Sequence, residues 1–440
     1  MLGLDAACRL VEPLVEADPA AQKRAIVGVP EDVARFRARI CGALEAQGLR
    51  GQVAVPAWYE SEEEAIFEEV WGRAGLAEWW KPPYDASPSA KVIGEDVYFL
   101  VDGRMRRMPQ KIGRHRREQL VRAILLLTPE ERLDRDFHEV YLLDGTRVTV
   151  FKGALAKADR DVIVLRRYVV PEYTLEEQAA RGTIPAEAIP LFRAMVRVGY
   201  NVVFCGSVRS AKTTFLSTWQ RLEDPALEGV MVETDPEIPL HRLMPGAPVV
   251  QLVCDGERLA AVSRNLLRSD ADYFVLAEAR DGVALDMAVR VARKGTGRMK
   301  MTYHTRDPLS FPEDAAVEIV RSCGGDVGET ARRVAGSFDY LFHFCALAGG
   351  RKLLRGVYEV GVRDGAPYVE AICLYDFAGG RWVWTARISE GKRRRGAESD
   401  PEGFAAFERE LAKLAATTLS PPDSFRGSGG NDTVSVGAGR

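Results

Sequence analysis

Apolar residues in the first 85 positions recur at the spacing of amphipathic helices. One predicted helix face carries Val33, Phe36, Ile40 and Leu44. Ser61, followed at once by acidic residues, has the composition of a second helix start. Three prolines within residues 81–90 then interrupt the pattern. We therefore predict a helical amino-terminal segment over residues 1–85, followed by a linker.

Short, β-like apolar runs dominate residues 91–170 and flank a helical stretch from Arg116 to Leu127. The dipeptides Asp102-Gly103 and Asp144-Gly145 are typical of tight hairpin turns. This pattern predicts a compact α+β domain. Residues 171–198 are predicted to form a helical connector.

From Tyr200 onward, apolar strands alternate with helical patterns. This alternation predicts a parallel sheet with helices on both faces over residues 199–385. Residues 386–419 are predicted as a basic loop, containing Lys392–Arg395, and a helix. Residues 420–440 are rich in Gly, Ser, Pro and Asp and are predicted to be disordered.

Composition narrows the class of protein. A chain of 440 residues with 46% hydrophobic and 28% charged residues is typical of a soluble protein with two or three domains. A net charge of -3 gives no indication of nucleic-acid binding. The seven scattered cysteines lack a C-x-x-C pair, which favours a reducing compartment. No signal peptide or membrane span is predicted.

The candidate chemistry begins with a phosphate-binding loop between an apolar strand and a helix. The loop residues are Gly206, Ser207, Val208, Arg209, Ser210, Ala211, Lys212, Thr213 and Thr214. Backbone amides would surround the β-phosphate, Lys212 would supply charge to the β- and γ-phosphates, and Thr213 would ligate Mg²⁺. Taken alone, the motif could also be an ordinary strand–helix turn.

The motif departs from its usual form at Ala211, where Gly is expected. If this position has a left-handed backbone, a side chain there costs about 1 kcal/mol.

Three further boxes follow the loop along the chain, at Val232–Ile238, Asp272–Arg280 and Met301–Pro308. In their order and approximate spacing, they resemble those of the secretion-superfamily ATPases of type II and type IV systems, in particular those of tight-adherence pili. The resemblance extends from about Glu64 to Phe377.

The resemblance implies that Glu233 in the first of these boxes polarises the attacking water. The family usually has Asp at the next position, where this chain has Thr234, and Asp235 or Glu237 would have to compensate. The alternative is that these acidic residues cap a helical turn.

In the second box, an apolar strand leads to Glu278, which would hold the water shell of Mg²⁺, with Ala277 replacing the family's Gly. Arg280 would brace Glu278 or the nucleotide, or else form an ion pair at a helix start. In the third box, His304 would sense the γ-phosphate or couple hydrolysis to movement, and the alternative is a structural histidine.

Two segments in the amino-terminal half also resemble the family, namely Leu143–Val148 and Leu165–Tyr168. They imply that Arg147 and Arg166 reach the nucleotide, where positive charge stabilises phosphoryl transfer. The alternative is that both are solvated strand residues.

These observations predict an α/β protein with a RecA-like P-loop NTPase domain built on a parallel-stranded sheet. An α+β, PAS-like domain and the helical segment would precede it. The resemblance implies ATP and Mg²⁺ as ligands, a homohexameric ring and inner-membrane platform proteins as partners. It also implies a cytoplasmic location at the inner face of the membrane, reached through protein partners, with no direct nucleic-acid contact.

The expected function is an ATP-hydrolysing motor for secretion or pilus assembly. A nucleotide-binding ring subunit without turnover is the main alternative, because Ala211, Thr234 and Ala277 depart from the family pattern. Against it, Lys212 and Glu233 and the other side chains expected to perform the chemistry are present. A nucleic-acid motor is disfavoured by the net acidity.

Overall fold

The computed structural model describes residues 1–15, 19–125, 133–142, 144–167, 172–234, 236–254, 256–266, 268–294 and 297–417. The chain divides into two compact units, Met1–Val169 and Val170–Arg440. The tail predicted over residues 420–440 and the end of the predicted helix at Leu127 lie outside the described residues. Within the described ranges, no helix has the length and apolar character needed to cross a bilayer.

The first unit begins with a small helical cluster. Its elements are β1 (Leu2–Gly3), α1 (Leu4–Val11), α2 (Pro19–Ile26), α3 (Pro30–Ala46), β2 (Val53–Ala54) and α4 (Glu62–Val70). Phe36, Ile40 and Leu44 on the predicted face of α3 are buried, and Val33 packs against the same cluster. The Ser61 side chain accepts a hydrogen bond from the Glu64 amide and so caps α4, as the sequence predicts.

The rest of the first unit is an antiparallel sheet with one helix on its face. Its elements are β3 (Ser89–Ile93), β4 (Asp96–Val101), β5 (Arg104–Lys111), α5 (Arg114–Leu125), β6 (Phe137–Tyr141), β7 (Arg147–Phe151) and β8 (Val162–Arg166). The strand order is β5-β4-β3-β8-β7-β6. Alternate strand residues such as Val92, Phe99 and Ile163 are buried with Leu120 and Ile124 of α5.

The second unit alternates helices and strands in its first part. These elements are α6 (Leu175–Ala180), α7 (Ile189–Val198), β9 (Val202–Gly206), α8 (Lys212–Gln220), β10 (Gly229–Glu233), α9 (Leu240–Leu243), β11 (Val249–Val253), α10 (Gly256–Leu266), β12 (Tyr273–Leu276), α11 (Gly282–Arg293) and β13 (Met299–His304). The predicted connector belongs to this unit, since Leu191, Phe192 and Met195 of α7 lie in its core.

The later part of this unit adds helices and long strands. These elements are α12 (Phe311–Cys323), α13 (Val327–Ala335), β14 (Tyr340–Ala346), β15 (Lys352–Arg363), β16 (Ala366–Asp376), β17 (Arg381–Trp384), α14 (Glu390–Ser399) and α15 (Pro401–Ala416).

In the described part of the second unit, nine strands form one mixed sheet in the order β11-β10-β12-β13-β9-β14-β15-β16-β17. The first six strands in this order are parallel, and β15, β16 and β17 extend the sheet in antiparallel fashion. The expectation of a parallel sheet throughout therefore needs correction. Short connections, including the left-handed pair Asp364-Gly365, can join only antiparallel neighbours.

Helices cover both faces of this sheet, as buried parallel strands require. On one face, Phe192, Phe215 and Trp219 from α7 and α8 pack with Phe407 of α15. On the other face, the apolar residues of α11, α12 and α13 form a second cluster, which includes Leu285.

The basic run Lys392–Arg395 is helical, so the prediction of a solvated loop is wrong here. The Lys392 ammonium lies 2.7 Å from Oδ1 of Asp339, which is fully buried. Nη1 of Arg395 lies 2.9 Å from Oδ2 of the same carboxylate, and the main-chain N–H of Asn201 donates a hydrogen bond to this Oδ2 at 2.8 Å. A buried carboxylate needs such partners, and the sequence pattern of a basic run does not show them.

Candidate active site

The carboxyl ends of four neighbouring parallel strands bring most of the predicted site residues to one edge of the sheet. Gly206 at the end of β9 pairs with His304 at the end of β13. Strand β12 lies next to β13 and leads to Glu278, and β10 lies next to β12 and ends at Glu233. In open α/β sheets, ligands bind at this edge.

The loop after β9 contains three residues with positive φ angles. Gly206 has a φ of 145°, and a Cβ there would lie 2.1 Å from the Phe344 carbonyl oxygen on β14. Arg209 and Ala211 are left-handed, with φ of 59° and 80°. The Gly206 position therefore requires glycine, whereas Ala211 occupies a conformation that glycine would adopt without strain.

Two side chains within the loop contrast in their exposure. Val208 is 70% exposed at the tip. Ser210 is fully buried, and its hydroxyl has no hydrogen-bond partner among the described residues. A buried hydroxyl without a partner is uncommon and is compatible with a ligand that supplies one.

The Lys212 side chain is buried at the first position of α8. Its ammonium donates to the Ser207 carbonyl oxygen at 2.8 Å and lies 3.4 Å from Nδ1 of His304. Burial lowers the pKa of Lys212 to about 8, against the opposing charges of Glu278, Cys205 and Glu237. Thr213 and Thr214 follow in the first turn of α8 and are partly exposed.

The Glu278 carboxylate is held by the side chains of His304 and Arg280. Its Oε1 lies 2.9 Å from Nε2 of His304, and its Oε2 lies 2.6 Å from Nη2 of Arg280. Burial disfavours the charged form, but the hydrogen bonds from His304 and Arg280 outweigh it and lower the pKa of Glu278 to about 2. The carboxylate is therefore ionised at neutral pH.

Glu233 is buried, and its Oε1 accepts hydrogen bonds from the amides of Glu237 and Ile238, both at 2.9 Å. Glu233 thus holds the segment that follows β10 through its main chain, but it does not cap the next helix, α9, whose N-cap is Pro239. These two bonds also fix the orientation of its carboxylate. Asp235 lies outside the described residues, whereas Glu237 is close enough to raise the pKa of Lys212 by its charge.

Arg147 and Arg166 lie in the first compact unit. They are directly opposite each other on β7 and β8. Nη2 of Arg147 lies 2.6 Å from Oε2 of Glu139, and Arg166 is exposed. Leu143 and Tyr168, at the ends of the two segments that carry the resemblance, are outside the described residues.

Lys352 is a neighbour of the loop that the sequence analysis did not identify. It begins β15, opposite Ala346 at the end of β14. Burial lowers the pKa of Lys352, and the charge of Arg209 lowers it further. No local motif marks this lysine, because its position depends on the pairing of β14 with β9.

The alanine that replaces the expected glycine at position 277 has less effect on the backbone than Ala211, because the backbone is not left-handed at Ala277.

No protein-family model matches the chain. No curated protein matches it either. Among solved structures, the chain is similar to the VirB11 ATPase from the Brucella suis type IV secretion system in complex with sulphate, with 19% identity and a TM-score of 0.35 over 64% of this chain and 92% of that one. It is similar to the Legionella pneumophila ATPase DotB, with 16% identity and a TM-score of 0.45 over 74% of this chain and 84% of that one. It is also similar to the pilus retraction motor PilT with bound ADP, with 12% identity and a TM-score of 0.47 over 77% of this chain and 92% of that one.

Proposed function

We propose that the protein is an Mg²⁺-dependent ATPase that acts as a motor in a bacterial secretion or pilus-assembly system, with its second unit as a RecA-like ATPase domain. The observation that carries this proposal is the convergence of Lys212, Glu278 and His304 beside a left-handed phosphate loop at one sheet edge. The four sequence boxes and their order support the assignment to the secretion superfamily.

The residues of the site fit a nucleotide phosphate and a magnesium ion. The loop amides at the start of α8, the buried Ser210 hydroxyl and the Lys212 ammonium are all donors suited to phosphate oxygens. The Thr213 hydroxyl and the Glu278 carboxylate provide the oxygen ligands that Mg²⁺ prefers, directly or through water. When bound, Mg²⁺ would neutralise charge that develops on the phosphates.

Each side chain then has a role in hydrolysis. Lys212 would stabilise negative charge on the β- and γ-phosphates. Glu233, oriented by its two amide hydrogen bonds, would position the attacking water and accept its proton, with Glu237 as the second candidate for this role. Arg280 would hold Glu278 in place, and His304 would respond to the γ-phosphate.

The remaining features of the proposal come from the family resemblance. Arg147 and Arg166 would reach the nucleotide and supply further positive charge. The protein would assemble as a homohexamer at the cytoplasmic face of the inner membrane. Domain closure around ATP and reopening after hydrolysis would act on membrane platform proteins.

Steady-state phosphate release with Mg-ATP tests the proposal. Lys212→Ala and Glu233→Gln should each reduce the rate by about 100-fold or more, because each removes a group that acts on the transition state. Lys294→Ala, a change at an exposed lysine of the same unit, is the matched control and should leave the rate unchanged. All variants should be compared at the same oligomeric state. If Glu237→Gln abolishes turnover and Glu233→Gln does not, the water-positioning role belongs to Glu237.

A second candidate is a nucleotide-binding ring subunit without turnover. The left-handed Ala211 and the two main-chain hydrogen bonds that engage the Glu233 carboxylate favour it. Binding of ATP to the wild type without phosphate release, even with the membrane partner supplied, would establish this candidate and remove the catalytic role from Glu233.

A further inference from the structure

The Lys212 ammonium makes two hydrogen-bond contacts with described residues, and neither is to a carboxylate, although the charges of Glu278 and Glu237 also act on it. The first is the Ser207 carbonyl oxygen at 2.8 Å, within the loop itself. The second is Nδ1 of His304 at 3.4 Å, on the neighbouring strand β13. Among the described residues, the imidazole of His304 is thus the one side chain within hydrogen-bond distance of the ammonium.

The contacts of His304 select one arrangement of its ring protons. An ammonium can only donate hydrogen bonds, so Nδ1 must act as an acceptor from Lys212. Nε2 must then carry the hydrogen and donate to Oε1 of Glu278 at 2.9 Å. Nη2 of Arg280 lies 2.6 Å from the other oxygen of that carboxylate, which holds Glu278 in place. One neutral imidazole therefore satisfies both neighbours.

We propose that His304 is a positioning residue that holds Lys212 in the nucleotide-free protein and competes with the nucleotide's β-phosphate for the ammonium. This inference rests on the proposed nucleotide site and adds a role that does not involve the γ-phosphate. A diphosphate that enters the loop must take the ammonium away from Nδ1, so the histidine weakens diphosphate binding. Loss of the contact should tighten ADP binding by roughly three- to tenfold, the range of one modest hydrogen bond.

Three substitutions of His304 separate its two contacts. The amide of Asn reaches about as far as Nδ1, so His304→Asn keeps an acceptor for Lys212 and loses the contact with Glu278. The amide of Gln reaches about as far as Nε2, so His304→Gln keeps a donor to Glu278 and loses the acceptor for Lys212. His304→Ala loses both contacts, and His241→Ala, at an exposed histidine of the same unit, serves as the control.

The experiment is calorimetric titration of the full chain with ADP, and in parallel with ATP, both in EDTA, which leaves Mg²⁺ and its ligands out of the measurement. Ala and Gln at position 304 should bind ADP more tightly than the wild type, whereas Asn and the His241 control should bind like the wild type. Because Asn and Gln each retain one native contact, the ranking can be read even if the Ala variant does not fold.

Two outcomes would overturn the inference and leave the proposed function in place. Equal ADP binding in all variants, with differences confined to ATP, would restrict His304 to sensing the γ-phosphate. Altered binding in Asn and Ala together, with Gln like the wild type, would assign the effect to Glu278. A wild type that binds neither ADP nor ATP would instead refute the nucleotide site itself, and the inference with it.

Discussion

Replacing Ala211 by Gly should stabilise the protein, even though the change removes a methyl group. Ala211 has a φ of 80° and a ψ of 17°, directly before α8. A left-handed conformation costs a residue with a Cβ about 1–2 kcal/mol. Gly removes that cost but loses about 0.5–1 kcal/mol through the greater freedom of the unfolded chain. Gly is also the better residue at a helix N-cap, so the net gain should be about 1 kcal/mol.

The matched control is Ala277→Gly, which introduces the other glycine of the motifs that the sequence resembles. The backbone at Ala277 is not left-handed, and its side chain is buried. Gly there relieves no strain, adds unfolded-state entropy and exposes a gap of one methyl group, so it should destabilise by about 1–1.5 kcal/mol. The two substitutions are chemically identical and should have opposite signs.

Differential scanning calorimetry of the full chain can measure both effects. A change of 1 kcal/mol in a unit of this size corresponds to a shift of about 2–4 °C in the Tm of its transition. Ala211→Gly should raise that Tm and Ala277→Gly should lower it. A fall in Tm for both variants would show that the loop backbone at position 211 carries no strain and would refute the reasoning.

Two further predictions concern buried charged and titratable groups. Burial, reinforced by the charge of Arg355, lowers the pKa of His343 to about 4. The stability that neutral His343 contributes is therefore complete above pH 6.5 and is lost as the pH falls from 6.5 to 4. Between pH 7 and pH 5 the wild type should lose about 2 kcal/mol of unfolding free energy that His343→Gln does not lose, as urea unfolding at the two pH values would show. Lys392→Met leaves the buried carboxylate of Asp339 with one cation fewer and should cost about 3 kcal/mol, whereas the same change at exposed Lys294 should cost under 0.5 kcal/mol in the same assay. An equal effect of the two lysine variants would contradict this account of Asp339.

The sequence was sufficient to predict those parts of the site that depend on local pattern. A strand, a turn and a helix in succession fix where Gly206 and Lys212 lie relative to each other, and the apolar run before Glu278 predicts a strand that ends beside them. These relations span a few residues, and so the periodicity of side chains reveals them.

Contacts between distant segments were not predictable in the same way. Lys212 and His304 are 92 positions apart, and their contact depends on β13 pairing with β9. The burial of Lys392 against Asp339 likewise depends on tertiary packing. A basic run predicts an exposed segment, because the carboxylate that pairs with Lys392 is 53 positions away in the sequence. Local composition contains no information about such pairings, because the free energy that decides them comes from the assembled sheet.

The close approach of Gly206 to Phe344 has a mechanical consequence. The two strands meet there through main-chain atoms, with no side chain between them that could change rotamer and absorb a displacement. A displacement of β14 along its axis should therefore shift Gly206, the first residue of the candidate nucleotide-binding loop, with it. The turn that joins β14 to β15 lies at this same edge of the sheet, so a displacement of that turn would reach Gly206 through the main chain.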